Sequence, residues 1–193
     1  GFKNAIAGAD KAIVVTTPEV SAIREYVANG GTVYASGVTS LRDNEGNLKD
    51  NFMLNDLFGV NFEGEFDIKP NYIAPISDNI PELFGTYTRR YPHMLEEKML
   101  KVKANSTSGK ILATVTLPIS DSSDKDIFSS GLSDPPIIET DYIALYENKF
   151  GKGKVIYSAG KLENDKFNDN MKLFTSIVSR LVGEFRVNLD GPN

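Results

Sequence analysis

Residues 12–16 (Ala-Ile-Val-Val-Thr) form an unbroken, largely β-branched run, the pattern of a strand buried on both faces. Thr17-Pro18-Glu19 follows and reads as a helix start. Thr17 suits the N-cap, Pro18 the first helical position, and Glu19 complements the helix dipole. Val20, Ile23 and Val27 recur at helical spacing until Asn29-Gly30-Gly31 stops the pattern. Residues 32–36 make a second short strand ending at Gly37. Strand, helix and strand with tight joints predict a βαβ unit, with 12–16 and 32–36 as parallel neighbours and a right-handed crossover.

The middle of the chain is less periodic. Residues 42–49 are polar and rich in turn formers, so they predict a loop. Asp50 reads as the cap of a short helix carrying Phe52, Leu54, Leu57 and Phe58, closed by Gly59. Residues 60–66 alternate like an edge strand. Pro70, Pro75, Pro81 and Pro92 make 67–98 read as loops with short pieces of strand or helix. Residues 99–104 alternate apolar with lysine as a half-exposed strand, and 110–117 predict a more apolar one. Residues 118–136 read as the longest loop. Residues 142–148 and 154–158 predict strands of a hairpin turned by Lys149-Phe150-Gly151-Lys152-Gly153. Asn164 and Asp165 read as caps of a long helix with the stripe Phe167, Met171, Phe174, Ile177 and Leu181, ended by Gly183. The expected core is Ile13, Val15, Ile23, Val27, Val33, Leu57, Leu112, Ile143, Val155, Phe174 and Ile177.

Composition narrows the chemistry. The 193 residues include no cysteine and one histidine, His93. That removes thiolate nucleophiles, thiolate metal sites and any site needing two imidazoles. A net charge of −5 argues against a nucleic-acid partner. No apolar run reaches the length of a membrane span. The chain opens on Gly1 without an initiator Met, which reads as a piece of a longer protein. Residues 1–183 are expected to form one α/β domain, with 184–193 a tail or linker to a following domain.

The stretch from Ile23 through Asn29-Gly30-Gly31-Thr32-Val33-Tyr34-Ala35-Ser36-Gly37, then Ser40-Leu41-Arg42-Asp43 and Asp50-Asn51-Phe52-Met53-Leu54-Asn55-Asp56-Leu57-Phe58-Gly59-Val60, resembles a known family. This is the glutamine-amidotransferase-like domain of bacterial glycoside hydrolases, called the trimerisation domain in some beta-galactosidases. The hairpin Asn148-Lys149-Phe150-Gly151-Lys152-Gly153-Lys154-Val155-Ile156-Tyr157 resembles that family's second signature. The resemblance covers about residues 12–182. It implies a flavodoxin-like three-layer sandwich, a mostly parallel sheet with an antiparallel C-terminal hairpin. Family members place a further βα unit before the first strand, for which this chain has little room. Residues 1–24 also resemble a segment of MinD-type septum-site ATPases, as a chimera or as a coincidence over a common unit. No P-loop accompanies them, so ATPase function does not follow.

The resemblance also points to a site. In the amidotransferases a Gly-x-Cys-x-Gly elbow exposes the nucleophile. Gly37-Val38-Thr39-Ser40-Leu41 occupies that turn, and Thr39 stands where the cysteine would. A threonine hydroxyl needs a positioned base, and His93 lies in a proline-rich stretch with no triad spacing. The expectation is therefore a relic elbow or ligand-contacting turn of Gly37, Thr39, Ser40 and Asp43, with no catalytic residue, metal or cofactor. Asp43, Glu45, Asn47 and Asp50 offer oxygens for calcium, but their spacing is not that of an EF-hand. Glu96 and Glu97 are adjacent and point apart, unlike the facing carboxylates of glycosidases. Tyr87 and Tyr91 beside Arg89 and Arg90 suit ordinary loop packing, a sugar or a neighbouring subunit. Two function classes remain: a non-catalytic accessory domain packing against other domains or a homo-oligomer, and a carbohydrate- or small-molecule-binding domain using the carboxyl ends of the strands.

Overall fold

The computed structural model describes residues 4–7, 17–43, 45–77, 80–120, 126, 134–164 and 168–183. In chain order the elements are β1 (Asn4–Ala7), α1 (Thr17–Ala28), β2 (Thr32–Ser36), α2 (Asn55–Phe58), β3 (Val60–Glu65), β4 (Asn71–Pro75), α3 (Pro81–Phe84) and β5 (His93–Leu95). There follow β6 (Leu100–Ala104), β7 (Lys110–Pro118), β8 (Pro136–Phe150), β9 (Gly153–Ser158), a 3-10 turn at Leu162–Asn164, and α4 (Asn168–Val182). Seven strands form one sheet in the order β1-β2-β9-β8-β7-β4-β5, and β3 pairs with β6 in a separate ribbon.

This architecture corrects the flavodoxin-like expectation. Only β1–β2 and β2–β9 are parallel, while β9–β8, β8–β7, β7–β4 and β4–β5 are all antiparallel. The sheet curls into a half-barrel and helices are few. The reason lies between residues 59 and 153. A parallel pair needs a crossover of a dozen or more residues, usually a helix. Among its described residues this stretch supplies only the four-residue helix α3, so neighbouring strands run antiparallel. The expected strand 12–16, with Ile13 and Val15, lies outside the described residues. β2 finds its parallel partners in β1 and β9 instead.

Other elements depart in detail. Asp50 caps nothing: α2 starts at Asn55, with Leu54 before it and no side-chain cap. Gly59 does close that helix in the left-handed conformation, at φ 74°. β8 reaches back to Pro136, well before the expected strand, and carries the exposed Ile137 and Ile138. On α4 the buried residues are Leu173, Ile177 and Leu181; Phe174 is half-buried and Met171 is exposed. Val27, Val33, Leu57, Leu112, Ile143 and Val155 are all in the core, and Ile23 packs against its edge. Aromatic rings fill the space between β9 and α2. Tyr157 stacks on Phe58 at 5.1 Å and meets Phe52 edge-on at 5.3 Å.

Two features hold β9 in the middle of the sheet. Glu147 on β8 accepts hydrogen bonds from Arg180 Nε at 3.1 Å and Nη2 at 2.7 Å, and Lys154 lies 3.4 Å away. Lys154 Nζ also donates to the Arg180 carbonyl at 3.1 Å, tying the end of α4 to the hairpin. The second feature is Gly153, where β9 begins. A Cβ there would lie 2.2 Å from the carbonyl oxygens of both Val27 and Gly31. These are backbone atoms that cannot rotate away. Gly153→Ala is therefore expected to cost more than about 2 kcal/mol or to abolish folding. Gly46→Ala meets no atom within 4 Å and carries only the strain of φ 87°, so it should lose about 1 kcal/mol. Urea denaturation of the two variants checks the contrast; equal losses would refute the close-approach argument.

Candidate functional site

The carboxyl ends of the parallel strands β2 and β9 meet at Ser36 and Ser158, which are register partners. The chain leaves β2 through Gly37, at φ 51°, whose N–H donates to the Ser158 carbonyl at 2.9 Å. Tyr157 OH donates to the Gly37 carbonyl at 2.8 Å. The turn continues through Thr39 to Ser40, which holds φ 62°, a conformation rare for a residue with a Cβ. The strand exit is thus sharp.

The side chains of that turn face inward. Thr39 is buried, and its Oγ1 donates to the Ser36 carbonyl at 2.7 Å. Ser40 is fully buried; its Oγ accepts from the Leu54 N–H at 3.3 Å and its carbonyl from the Met53 N–H at 3.0 Å. The structure thus brings Gly37, Thr39 and Ser40 together but spends their polar groups on the backbone. Asp43 stands apart, in a surface loop bridged at Arg42 and Leu48. Its Oδ1 accepts from the N–H groups of Asn47 at 2.8 Å and Glu45 at 3.0 Å. The Asn47 amide is the chief cause of a carboxyl held below its ordinary range. These bonds make Asp43 the pivot of a turn.

Sequence reasoning missed Glu163. It sits in the 3-10 turn after β9, and its carboxylate accepts from Tyr34 OH at 2.9 Å and, by a short contact, from Ser36 Oγ. Tyr34 is buried, and burial pushes its phenol well above the ordinary value, with the Glu163 charge adding to it. Lys161 lays its stem over Gly37, its Cγ 3.2 Å from where a Cβ would stand. A lone acid between Gly160 and a helix start resembles a cap in sequence, so only the fold reveals it facing β2.

His93 is not at this turn. It is a buried residue of β5, its ring edge-on to Tyr87 at 4.7 Å. Between β2 and β5 lie β9, β8, β7 and β4. Glu96 and Glu97 are exposed, and Arg89 is engaged with Glu139 at 3.0 Å. Among the described residues no three His, Asp or Glu side chains gather as a metal site.

No protein-family model matches the chain. A 25-residue segment is 76% identical to the septum site-determining protein MinD of Bacillus subtilis, covering 13% of this chain and 9% of that protein. A putative MinD of Mesostigma viride is 31% identical over 103 residues, 51% of this chain and 34% of its own. Among solved structures, alpha-L-fucosidase isoenzyme 2 of Paenibacillus thiaminolyticus superposes with a TM-score of 0.68 at 19% identity, over 95% of this chain and 25% of that one. The beta-galactosidase of Bacillus circulans sp. alkalophilus gives 0.62 at 15%, over 93% and 22%. A GH42 beta-galactosidase of G. stearothermophilus gives 0.60 at 15%, over 94% and 22%. This chain thus spans about a quarter or less of those glycosidases, and the likeness is one of fold. None of these proteins is described as an amidotransferase.

Tyr34 and Tyr157 are both buried, with phenols pushed well above the ordinary tyrosine range. Below about pH 10 both states keep these protons. Above it the unfolded chain releases protons that the native state retains, so stability falls by about 1.4 kcal/mol per pH unit for each tyrosine. Denaturant unfolding between about pH 8 and 11 is expected to show a decline above 10. Tyr34→Phe and Tyr157→Phe should each remove roughly one proton of that slope, and unchanged slopes in both would contradict it.

Proposed function

We propose that this chain is a non-catalytic domain of a bacterial glycoside hydrolase, working by packing against other domains of that enzyme or against copies of itself. The observation that carries this reading is the pattern of coverage. The likeness takes in 93–95% of this chain yet only 22–25% of each glycosidase named above. A unit repeated whole inside larger hydrolases is a module.

The site geometry supports the non-catalytic half. Thr39 donates to a backbone carbonyl, the imidazole belongs to β5 with its ring against Tyr87, and Glu163 is committed to two hydroxyls of the fold. The projecting end of β7–β8 supports the packing half. β9 covers β8 only from Leu145 to Phe150. Beyond it Ile119, Ile137 and Ile138 stand 39%, 57% and 47% exposed around the Leu117–Ile138 pair. Ile137 and Ile138 alternate to opposite faces of β8, so this end exposes apolar surface on both faces, which favours association there. The alternative, sugar binding through Gly37, Thr39, Ser40 and Asp43, is weakened because those polar groups are already engaged.

The purified domain is expected to release no nitrophenol from nitrophenyl β-galactoside or α-fucoside, and Thr39→Ala to leave any activity of the parent enzyme unchanged. Sedimentation should show the domain self-associating, or binding the rest of its enzyme in trans. A double change, Ile137→Asp with Ile138→Asp, should weaken that association at least about tenfold. Turnover abolished by Thr39→Ala would overturn the reading, as would association indifferent to the isoleucines.

A further inference from the structure

A second feature lies on β4 and β5, at the opposite end of the strand order from β1. Tyr72 and Met94 are direct partners across this antiparallel pair, so both side chains stand on one face. The period of two extends the row. Pro70 precedes Tyr72 by two positions, and Glu96 follows Met94 by two. Asn71, Ile73, His93 and Leu95 alternate with them and are buried on the other face. With Lys69 and Asp134 at its rim, this row lines a cleft of about 460 Å³. Tyr72 OH donates to the Asp134 carbonyl, which fastens the rim to the floor.

The cleft volume falls within the roughly 300–1,000 Å³ usual for small-molecule sites. Its floor offers apolar surface from Pro70 and the exposed Met94, with Tyr72 beneath them only 6% exposed. Among the described residues its rim offers one ammonium, from Lys69, and two carboxylates, from Glu96 and Asp134. An anion would meet both carboxylates, and a metal cation would meet the ammonium. A purely apolar ligand would leave charged groups desolvated. A neutral polyol with a C–H face avoids all three penalties. Its ring face covers the floor, its hydroxyls donate to the carboxylates, and its oxygens accept from the ammonium.

We propose that the β4–β5 cleft is a saccharide-binding subsite, distinct from the elbow after β2 and independent of the packing role. Glu96 is the residue that accepts sugar hydroxyls and Lys69 the one that donates. Because the cleft is open and shallow, affinity falls in the millimolar range.

The four methionines make this testable without knowing the natural sugar. Met94 is in the cleft, while Met53, Met99 and Met171 lie elsewhere. The domain, labelled with 13C at its methionine methyls, is titrated with methyl β-D-galactoside and methyl α-L-fucoside. The expected result is a saturable shift of the Met94 methyl alone, for at least one sugar. Glu96→Gln and Lys69→Ala, both at exposed positions, should each weaken that titration about five- to tenfold with the other methyls unmoved. No Met94 shift with either sugar, all four methyls moving together, or unchanged titrations in both variants would overturn the subsite. The same spectra report release of methanol. Hydrolysis would refute the non-catalytic reading and leave the subsite to be judged on Met94.

Discussion

The position of β9 is the constraint on which the rest depends. Among the described strands it is the one that pairs parallel on one side, with β2, and antiparallel on the other, with β8. Every buried layer touches it. Val155, Ile156 and Tyr157 are fully buried, α1 and α4 pack against it, and Tyr157 closes the aromatic cluster with Phe52 and Phe58. Its start needs a residue with no side chain, because the backbone of the α1–β2 turn passes through the volume of a Cβ. Its end sets the elbow, since Gly37 bonds to the Ser158 carbonyl and to the Tyr157 hydroxyl. A strand so placed joins a parallel half, where a ligand crevice would ordinarily form, to an antiparallel half that curls away from it.

That join explains why the crevice is occupied by the protein itself. In an open parallel sheet the groups beyond the strand ends await a ligand. Here Glu163 reaches over from the turn after β9 and takes the hydroxyls of Tyr34 and Ser36. The elbow is a sharp turn whose hydroxyls point inward. Among the described residues, exposed apolar surface remains at the isoleucine-bearing end of β7–β8 and a cleft lies over β4 and β5.

Much of this was legible in the sequence, for local reasons. The hairpin from Asn148 to Tyr157 declared itself through glycines at its turn and apolar alternation on either side. Helix α1 was visible in Val20, Ile23 and Val27 and in its glycine stop. Sheet polarity was not legible, because it depends on which distant strands pair. β4 hid between Pro70 and Pro75, which bound a strand of only five residues. The first half of β8 hid because Pro135-Pro136 and the exposed Ile137, Ile138 and Glu139 lack a buried face to set the period. The turn at Ser40 was placed, but the direction of its side chains depends on Leu54, which only the fold brings alongside. Glu163 carries no pattern at all until Tyr34 and Ser36 face it.

The register of Val33 against Val155 and of Ser36 against Ser158 joins parts of the chain separated by more than a hundred positions. Loop closure on that scale is slow, and long-range pairing is the step that limits such topologies. The antiparallel meander of β4, β5, β7 and β8 needs no such closure. During synthesis the chain therefore emerges with its β1–α1–β2 portion complete yet lacking the strand it must lie against. Until β9 has left the ribosome, the edge of β2 that it pairs with stays uncovered.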